Sequence, residues 1–377
     1  MGSEFQHQPR VLVIGAGVIG ASIAWHLTKH ADGANVTIVA EEMGGIATPC
    51  SFAWLNASRN NPRFYYDFRR RSMAGWKRMA SEVPELGQLV QWCGSLGWDL
   101  PPEKLAEYQR NHAAWGYDIR RIERAEILQV EPGLTPENDF VPEWALRVGE
   151  EGMVEPAQAA RLLAADAQRR GARLVTGNVT RLLQEGDGRV TGLVLATGEE
   201  LRADHVVLAA GVGSVSLCAS VGVTLPLKTP APAGLLVRSK PVQTRILNHV
   251  VYTTRGHMRQ TADGYILAGS DFIGGDPGPN PEATARQQLE QVKSNLKPAY
   301  GEQLEFDCFT IGYRPQPVDG LPVLGASGLK GLDIAVMHSG VTNAALVGEL
   351  LAEKVLTGKE DASLKDFSLQ RFTNTHV

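Results

Sequence analysis

A short glycine-rich segment near the start of the chain has the spacing that dinucleotide-binding proteins use to hold a pyrophosphate. It is Gly15-Ala16-Gly17-Val18-Ile19-Gly20, and it follows a short apolar run that ends at Ile14. In this pattern Gly15 permits a tight turn, Gly17 lets the backbone approach the pyrophosphate, and Gly20 allows close helix packing. The helix N-terminus then favours the anion, and a glycine-rich turn without a ligand is the alternative. The residues that we expect to contact the dinucleotide here are Gly15, Gly17, Val18, Ile19 and Gly20.

An acidic residue at the end of the second strand of such a βαβ unit usually binds the ribose, about twenty positions after the last glycine. The apolar, β-branched run 36–39 predicts that strand. Counting from Gly20 lands on Ala40, directly before Glu41. Either the loop at Asp32-Gly33 shifts the spacing so that Glu41 binds the ribose, or another group binds it. We expect Glu41.

Composition narrows the classes of function. A chain of 377 residues is long enough for two structural domains, or for one large α/β body that carries a second sheet. A net charge of -4 without long runs of either sign gives no reason to expect a nucleic-acid partner. No apolar run reaches the ~18 residues that a membrane helix needs, so we expect no membrane span. The cluster Arg69-Arg70-Arg71 is expected to be a solvated helix face.

Cysteine and histidine spacing gives no sign of a metal site. The cysteines are far apart and form no C-x-x-C pair, so neither zinc nor a disulfide framework is indicated. The sequence also lacks H-E-x-x-H, G-x-S-x-G and P-loop motifs. Reduced thiols and a start on a strand, with no signal segment, favour a cytoplasmic protein. The cysteines are Cys50, Cys93, Cys218 and Cys308.

The order of the predicted elements indicates discontinuous domains. Rossmann-like strands and helices are predicted at 10–39, 155–210 and 332–356. Between the last two ranges, residues 234–272 alternate apolar and polar side chains between turn signals, which predicts an antiparallel sheet. Residues 63–128 are predicted to be mostly helical.

Taken together, separated motifs of this chain resemble the D-amino acid oxidase family, which includes glycine oxidase, sarcosine oxidase and DadA-like FAD-dependent oxidoreductases. Beyond the glycine motif, the segments that carry the resemblance are Gly44-Gly45-Ile46-Ala47-Thr48-Pro49-Cys50-Ser51, Gly152-Met153-Val154-Glu155-Pro156, Asp204-His205-Val206-Val207-Leu208-Ala209-Ala210-Gly211, and Gly312-Tyr313-Arg314-Pro315 with Asp319-Gly320-Leu321-Pro322. The last pair is close to the family pattern G-x-R-P…D-G-x-P. Their combination is far more specific than any one of them.

This resemblance implies an α/β fold with a Rossmann-type FAD-binding domain and an antiparallel-sheet α+β substrate domain, discontinuous in sequence. The FAD-binding domain is expected at 9–82, 152–222 and 318–370, and the substrate-binding domain at 83–151 and 223–317.

The resemblance also implies which further residues bind FAD. In this family a small-residue loop runs beneath the flavin, a backbone position contacts the adenine, and a strand ending in Ala-Gly packs against the dinucleotide. A strand-to-helix turn near the C-terminus meets the pyrimidine end of the flavin, and its Thr342 or Asn343 could cap the helix. The corresponding residues are Ala47, Thr48, Ser51, Val179, Ala210, Gly211, Arg314, His338, Gly340, Val341, Thr342 and Asn343.

Arg314 is the residue that we expect to bind substrate. In amino acid oxidases of this family the arginine of G-x-R-P holds the substrate carboxylate, and a guanidinium suits a bidentate carboxylate pair. A structural arginine that bridges the domains is the alternative. Tyr252, His257 and Arg259 lie on the predicted sheet that would cover the flavin, and His257 and Arg259 should point to the same face because they are two positions apart.

The expected cofactor is FAD without a covalent bond. Some members of the family attach flavin through a cysteine just before the D-G-x-P-like segment, where this chain has Gly312. Cys308, four residues earlier, is the alternative point of attachment.

We therefore expect an enzyme that transfers a hydride from the C–N carbon of a small amine or amino acid to flavin, giving an imine, with oxygen or another electron acceptor completing the cycle. The alternatives are an FAD-dependent 2-hydroxy acid dehydrogenase, a non-catalytic flavin-binding protein and an NAD-dependent enzyme.

Overall fold

The computed structural model describes residues 9–30, 35–57, 61–137, 139–270 and 277–372. The spacing shift considered at positions 32 and 33 and the end of the predicted antiparallel stretch lie outside the described residues.

Within these ranges the strands are β1 Val11–Ile14, β2 Val36–Ala40, β3 Trp54–Leu55, β4 Val90–Gln91, β5 Ser95–Trp98, β6 Ile119–Glu123, β7 Trp144–Val148, β8 Gly152–Val154, β9 Arg173–Thr176, β10 Val179–Gln184, β11 Val190–Leu195, β12 Glu200–Arg202, β13 His205–Leu208, β14 Ala233–Ser239, β15 Val250–Thr253, β16 Gly256–Gln260, β17 Ile266–Gly269, β18 Phe306–Tyr313, β19 Val323–Ala326 and β20 Leu332–Val336. The α-helices are α1 Val18–His30, α2 Arg63–Glu82, α3 Pro84–Leu89, α4 Pro102–Ala114, α5 Arg124–Val130, α6 Pro156–Arg169, α7 Ser214–Ala219, α8 Pro281–Ser294, α9 Pro298–Gly301 and α10 Gly340–Thr357.

A six-stranded sheet in the order β19-β20-β13-β1-β2-β9 carries the predicted βαβ unit. Its neighbours are parallel except β19 and β20, and Val13 lies between Ile38 on one side and Val207 on the other. All three side chains are buried, as expected for parallel strands covered on both faces. The chain passes from β1 to β2 on one side and returns to β13 on the other, so the carboxyl end of β1 is a topological switch point. Ligands of such sheets bind at that point.

An eight-stranded sheet in the order β18-β14-β17-β16-β15-β5-β7-β6 forms the second layer. The predicted antiparallel stretch supplies β14 to β17, and its pairing is antiparallel as expected. The sheet is larger than predicted, because β5, β6 and β7 join it and β5 pairs with β15 in parallel. The prediction that residues 63–128 are mostly helical was therefore incomplete. The expected α/β class with an additional sheet is confirmed.

Helices α1 and α10 pack directly against each other through glycine. A Cβ at Gly348 would overlap the Ser22 hydroxyl and lie 2.7 Å from His26 Nδ1, so the two backbones are in close contact. At the first residue of α10, a Cβ at Gly340 would lie 3.4 Å from Cγ1 of Ile19. The N-termini of the two helices are therefore side by side at the carboxyl edge of the parallel sheet. None of the described helices is long and apolar enough to cross a membrane.

Helix α2 fixes the start of α10 from the other side. Trp76 Nε1 donates a hydrogen bond of 2.9 Å to the Val341 carbonyl, and the Ser72 hydroxyl accepts one of 3.0 Å from Leu346 N–H. These two bonds join α2 to the first two turns of α10.

Gly348→Val should destabilise the protein by about 2 kcal/mol or more, because the added side chain cannot fit between α1 and α10 without separating them. Urea unfolding measures this loss. Gly186→Val is the matched control, since a Cβ at Gly186 meets nothing within 4 Å. Equal effects of the two substitutions would show that the helix contact is not a tight one.

Candidate active site

The glycine motif forms the tight turn that its spacing predicts. Gly15 has a φ of 105°, and a Cβ there would overlap the Ala209 carbonyl. A Cβ at Gly20 would overlap the Gly15 carbonyl. These two positions therefore require glycine, and the turn leads directly into α1, whose first residue is Val18.

The small-residue loop lies against this turn. The Gly44 N–H donates to the Ala16 carbonyl at 3.1 Å, and the Thr48 hydroxyl accepts from the Val18 N–H at 3.2 Å. Gly17 faces Thr48 Oγ1, which a Cβ would approach to 3.1 Å. Ala47 and Ser51 flank Thr48 in the same loop. The loop and the helix N-terminus thus present polar groups to one location.

The predicted ribose and adenine positions are on adjacent strand ends. Glu41 is exposed directly after β2, and Val179 begins β10. A hydrogen bond of 3.0 Å from Gly177 N–H to the Ala40 carbonyl joins the end of β2 to the turn between β9 and β10. At the neighbouring end of β13, Gly211 follows Ala210 with a φ of 58° and open space beside its Cα.

The C-terminal turn contributes a second helix N-terminus. Helix α10 begins at Gly340 with Ser339 as the N-cap residue, and no side chain caps it. The expected cap by Thr342 or Asn343 was therefore wrong, because both lie inside the first turn and bond elsewhere. The Thr342 hydroxyl donates to the Trp54 carbonyl at 3.0 Å, and Asn343 Nδ2 donates to the Tyr65 hydroxyl at 3.1 Å.

A dinucleotide fits these surroundings. Two helix N-termini at Val18 and Gly340 lie side by side, and both attract negative charge. At Gly211 a Cβ would meet nothing within 4 Å, so the backbone there is open to close approach. Glu41 is free of any ion pair with the described residues and can accept from ribose hydroxyl groups.

The eight-stranded sheet presents Tyr252 and His257 to the loop that follows Ser51. The Tyr252 ring is 4.7 Å from the Trp54 ring and rests on Gly97, where a Cβ would overlap it. The His257 ring meets the Phe52 ring edge-on at 4.4 Å. Both predicted residues therefore contact the segment that connects the small-residue loop to β3.

Arg259 also contacts this segment, so it shares a face of the sheet with His257 as predicted. Its Nε donates to the Phe52 carbonyl at 2.7 Å, and its Nη1 forms a 2.9 Å ion pair with Glu155. The guanidinium is 1% exposed. These bonds give Arg259 a role in joining the two sheets, and a contact with substrate stays a prediction.

Arg314 follows β18 and lies over β14. A Cβ at Gly234 would overlap Arg314 Nη2, so this glycine makes room for the guanidinium. Burial is the main cause, and the charge of Arg314 the second, of a His257 pKa lowered to about 3. Burial and the same charge lower the pKa of His338 to about 4. Arg314 thus lies between the sheet and the α10 turn, and both histidines beside it are neutral near pH 7.

The arginine cluster on α2 is not a uniformly solvated face. Arg71 pairs with Asp361 at the surface and Arg70 pairs with Glu150, but Arg69 is only 5% exposed. The expectation was wrong for Arg69 because this residue lies on the buried stripe of the helix. Positions 65, 72 and 76 are buried on the same stripe of the helix, and this spacing could have identified it.

A known protein family matches this chain, in agreement with this geometry. It is the family described as "FAD dependent oxidoreductase" (DAO), and it matches residues 10–354. The chain belongs to this family. FAD is accordingly its cofactor, and the protein is an enzyme, which sets aside the NAD-dependent and non-catalytic alternatives.

Similar proteins share the full extent of this chain. Glycine oxidase of Geobacillus kaustophilus (strain HTA426) is 27% identical over 383 residues, which cover 97% of each chain. The crystal structure of glycine oxidase from Geobacillus kaustophilus superposes with a TM-score of 0.83 at 25% identity, covering 97% of this chain and 99% of that one. The bifunctional protein ThiO/ThiG of Nostoc sp. (strain PCC 7120 / SAG 25.82 / UTEX 2576) is 27% identical, but the match covers 96% of this chain and only 55% of that protein. This chain therefore spans about half the length of that relative.

Glu41→Ala should weaken FAD binding about 10-fold to 100-fold, because a hydrogen bond to a charged group contributes about 1.5–3 kcal/mol. Titration of the apoprotein with FAD measures the change. Glu42→Ala is the matched control, since Glu42 is the next exposed carboxylate. If both variants bind FAD like the parent, another group holds the ribose.

His257 and His338 should also make the stability of the holoenzyme depend on pH. Their pKa values in the folded protein, about 3 and about 4, lie below the ordinary 6.5, so the unfolded chain binds protons first as the pH falls. Stability should be complete above pH 6.5 and decrease towards pH 4. The free energy of unfolding, measured with urea at pH 7, 6 and 5, should change less with pH in His257→Gln than in the parent. An unchanged dependence on pH would contradict a buried, neutral His257.

Proposed function

We propose that this FAD-dependent oxidoreductase oxidises a small amine or amino acid at the carbon that bears nitrogen. The observation that carries the proposal is the position of Arg314, between the sheet residue His257 and the α10 turn at His338. The guanidinium is a fixed cation with a planar fork that suits a carboxylate. A carboxylate held there would lie beside the turn that we expect to contact the flavin.

The two histidines support this assignment because they carry no charge near pH 7. Burial is the main cause of their lowered pKa values, and it leaves Arg314 as the dominant local charge. A carboxylate beside Arg314 is therefore attracted without competition from a second titrating group. The glycine oxidases that resemble this chain give the same indication, since their name states an amino acid substrate.

The reaction needs little from the protein beyond orientation. Bound FAD supplies the acceptor for the two electrons that leave the substrate with its hydrogen as hydride. The amine binds neutral, loses hydride from carbon and a proton from nitrogen, and becomes an imine, which water hydrolyses after release. Arg314 holds the carboxylate, and the rings of Phe52, Trp54 and Tyr252 limit the access of water.

The N-terminal turn of α10 supports the same reaction. Its N–H groups and helix dipole would offset negative charge on a reduced flavin held at this turn. Oxygen or another electron acceptor then reoxidises the enzyme.

We propose that FAD is bound without a covalent link. The thiol nearest to the position of attachment used by some relatives is Cys308, whose side chain interacts with Arg238 and Asp307. Burial raises the pKa of this thiol and keeps it protonated. The protonated form is the weaker nucleophile.

The purified protein should be yellow, acid precipitation should release its flavin, and anaerobic addition of a suitable amino acid should bleach it. Arg314→Gln should lower kcat/KM for amino acids about 100-fold, mainly through KM, because two charge-assisted hydrogen bonds are lost. Reaction with amines that lack a carboxylate should change little.

Arg238→Gln is the matched control, since Arg238 pairs with Asp307 at the protein surface. A panel of amines and 2-hydroxy acids separates the two substrate classes that an arginine can bind. Bleaching by 2-hydroxy acids alone, or an Arg314→Gln variant with unchanged KM, would contradict the proposal.

A further inference from the structure

Arg69 is a buried cation without an acidic partner among the described residues. Its Nε donates to the Asn56 carbonyl at 2.9 Å and its Nη2 donates to Asn56 Oδ1 at 2.7 Å. The guanidinium also lies 5.4 Å from the centre of the Tyr65 ring. A buried charge is costly unless an opposite charge compensates it. The neutral groups around Arg69 therefore compensate its buried positive charge only in part.

The geometry of these bonds leaves one edge of the guanidinium available. Asn56 occupies the edge formed by Nε and Nη2, as a carboxylate would. Nη1 donates no hydrogen bond to any residue in the described part of the chain. The edge formed by Nη1 and Nη2 is the one that binds a carboxylate end-on, and Asn56 holds it in a fixed orientation.

The buried carboxylate of Glu151 does not supply the missing charge. Glu151 is completely buried and accepts hydrogen bonds from Trp54, Ser95 and Tyr117. No ion pair joins it to Arg69 in the described structure. Its neutral donors already satisfy both of its oxygens.

Arg69 belongs to the surroundings of the candidate active site. The Asn56 N–H donates to the Thr342 hydroxyl at 3.4 Å, and Thr342 lies in the first turn of α10. The charges of Arg314, Arg69 and the exposed Lys228 all act on His338, in that order of strength. Two fixed guanidinium groups therefore approach the same histidine from different elements, one from α2 and one from the end of β18.

We propose that Arg69 binds a second acidic group of the substrate, so that the enzyme prefers amines that carry two carboxylates. This inference rests on the proposed function. One carboxylate would pair with Arg314 and the other with the open edge of Arg69. The second pair neutralises the buried charge on binding, which gives a two-acid substrate an advantage that a one-acid substrate lacks.

Unreactive acids test this directly in the holoenzyme, because their binding perturbs the flavin absorbance without turnover. Succinate should bind the parent enzyme at least about 10-fold more tightly than propionate. Arg69→Gln should remove this preference and leave propionate binding unchanged. Arg71→Gln is the matched control, since it makes the same change on the same helix at a surface pair with Asp361. It should keep the preference.

A pair of achiral amines gives a second measurement. Iminodiacetate and sarcosine differ by one carboxylate, so their kcat/KM ratio should favour iminodiacetate in the parent and fall about 10-fold or more in Arg69→Gln. If Arg69→Gln does not fold, Arg69→Lys serves instead, because it keeps the charge and loses the bidentate edge. It should reduce the preference for succinate several-fold.

Equal binding of succinate and propionate by the parent would overturn the inference, and so would an Arg69→Gln variant that keeps the preference or weakens both acids equally. A shift in flavin potential with the preference intact would assign Arg69 to the cofactor and also overturn it. Because the acids bind without reacting, a failure of every amine to bleach the flavin would count against the proposed function alone.

Discussion

The close packing of α1 against α10 is the constraint on which the site depends. A helix N-terminus attracts an anion only within about its first turn, so two of them act together only if their axes nearly touch. Gly348 allows this contact beside Ser22 and His26, and Gly340 allows it beside Ile19. The six-stranded sheet places both helices at its carboxyl edge, and α2 holds α10 from the outer side. This packing brings together the two helix N-termini that we expect to contact the cofactor.

The second constraint is a buried polar network that fixes the loop facing the cofactor. Glu151 accepts from the Trp54 indole at 2.9 Å and from the Tyr117 hydroxyl at 2.5 Å, and Tyr117 in turn accepts from the Ala57 N–H at 3.0 Å. These bonds hold both ends of β3. They also explain how Ala53 keeps a φ of 58°, the only positive φ outside glycine in the described residues. Such a conformation persists only where its neighbours determine it, and here it sets the positions of Phe52 and Trp54.

Local patterns predicted the parts of the fold that local physics determines. The glycine motif and the βαβ unit follow from residue spacing within a few positions, and both are present. The parallel pairing of β5 with β15 did not follow, because it joins residues 155 positions apart in the case of Ser95 and Val250. The ion pair of Arg259 with Glu155 could not be predicted either, because these two residues are also far apart in the sequence. Burial of Arg69 could have been inferred, since its helical stripe is apolar on both sides.

The arrangement of charge has a consequence for the substrate as well as for the protein. An amino acid in water carries an ammonium group, yet only a neutral amine can release hydride from the adjacent carbon, because its nitrogen lone pair must form the new double bond. A positive charge that lies near an ammonium lowers its pKa. In the proposed complex, Arg314 and Arg69 would each pair with a substrate carboxylate and cancel the negative charge that otherwise raises the pKa of the ammonium, while His257 and His338 stay neutral as the pH falls towards 5. The proposed pairing would therefore favour the neutral, reactive form of the amine.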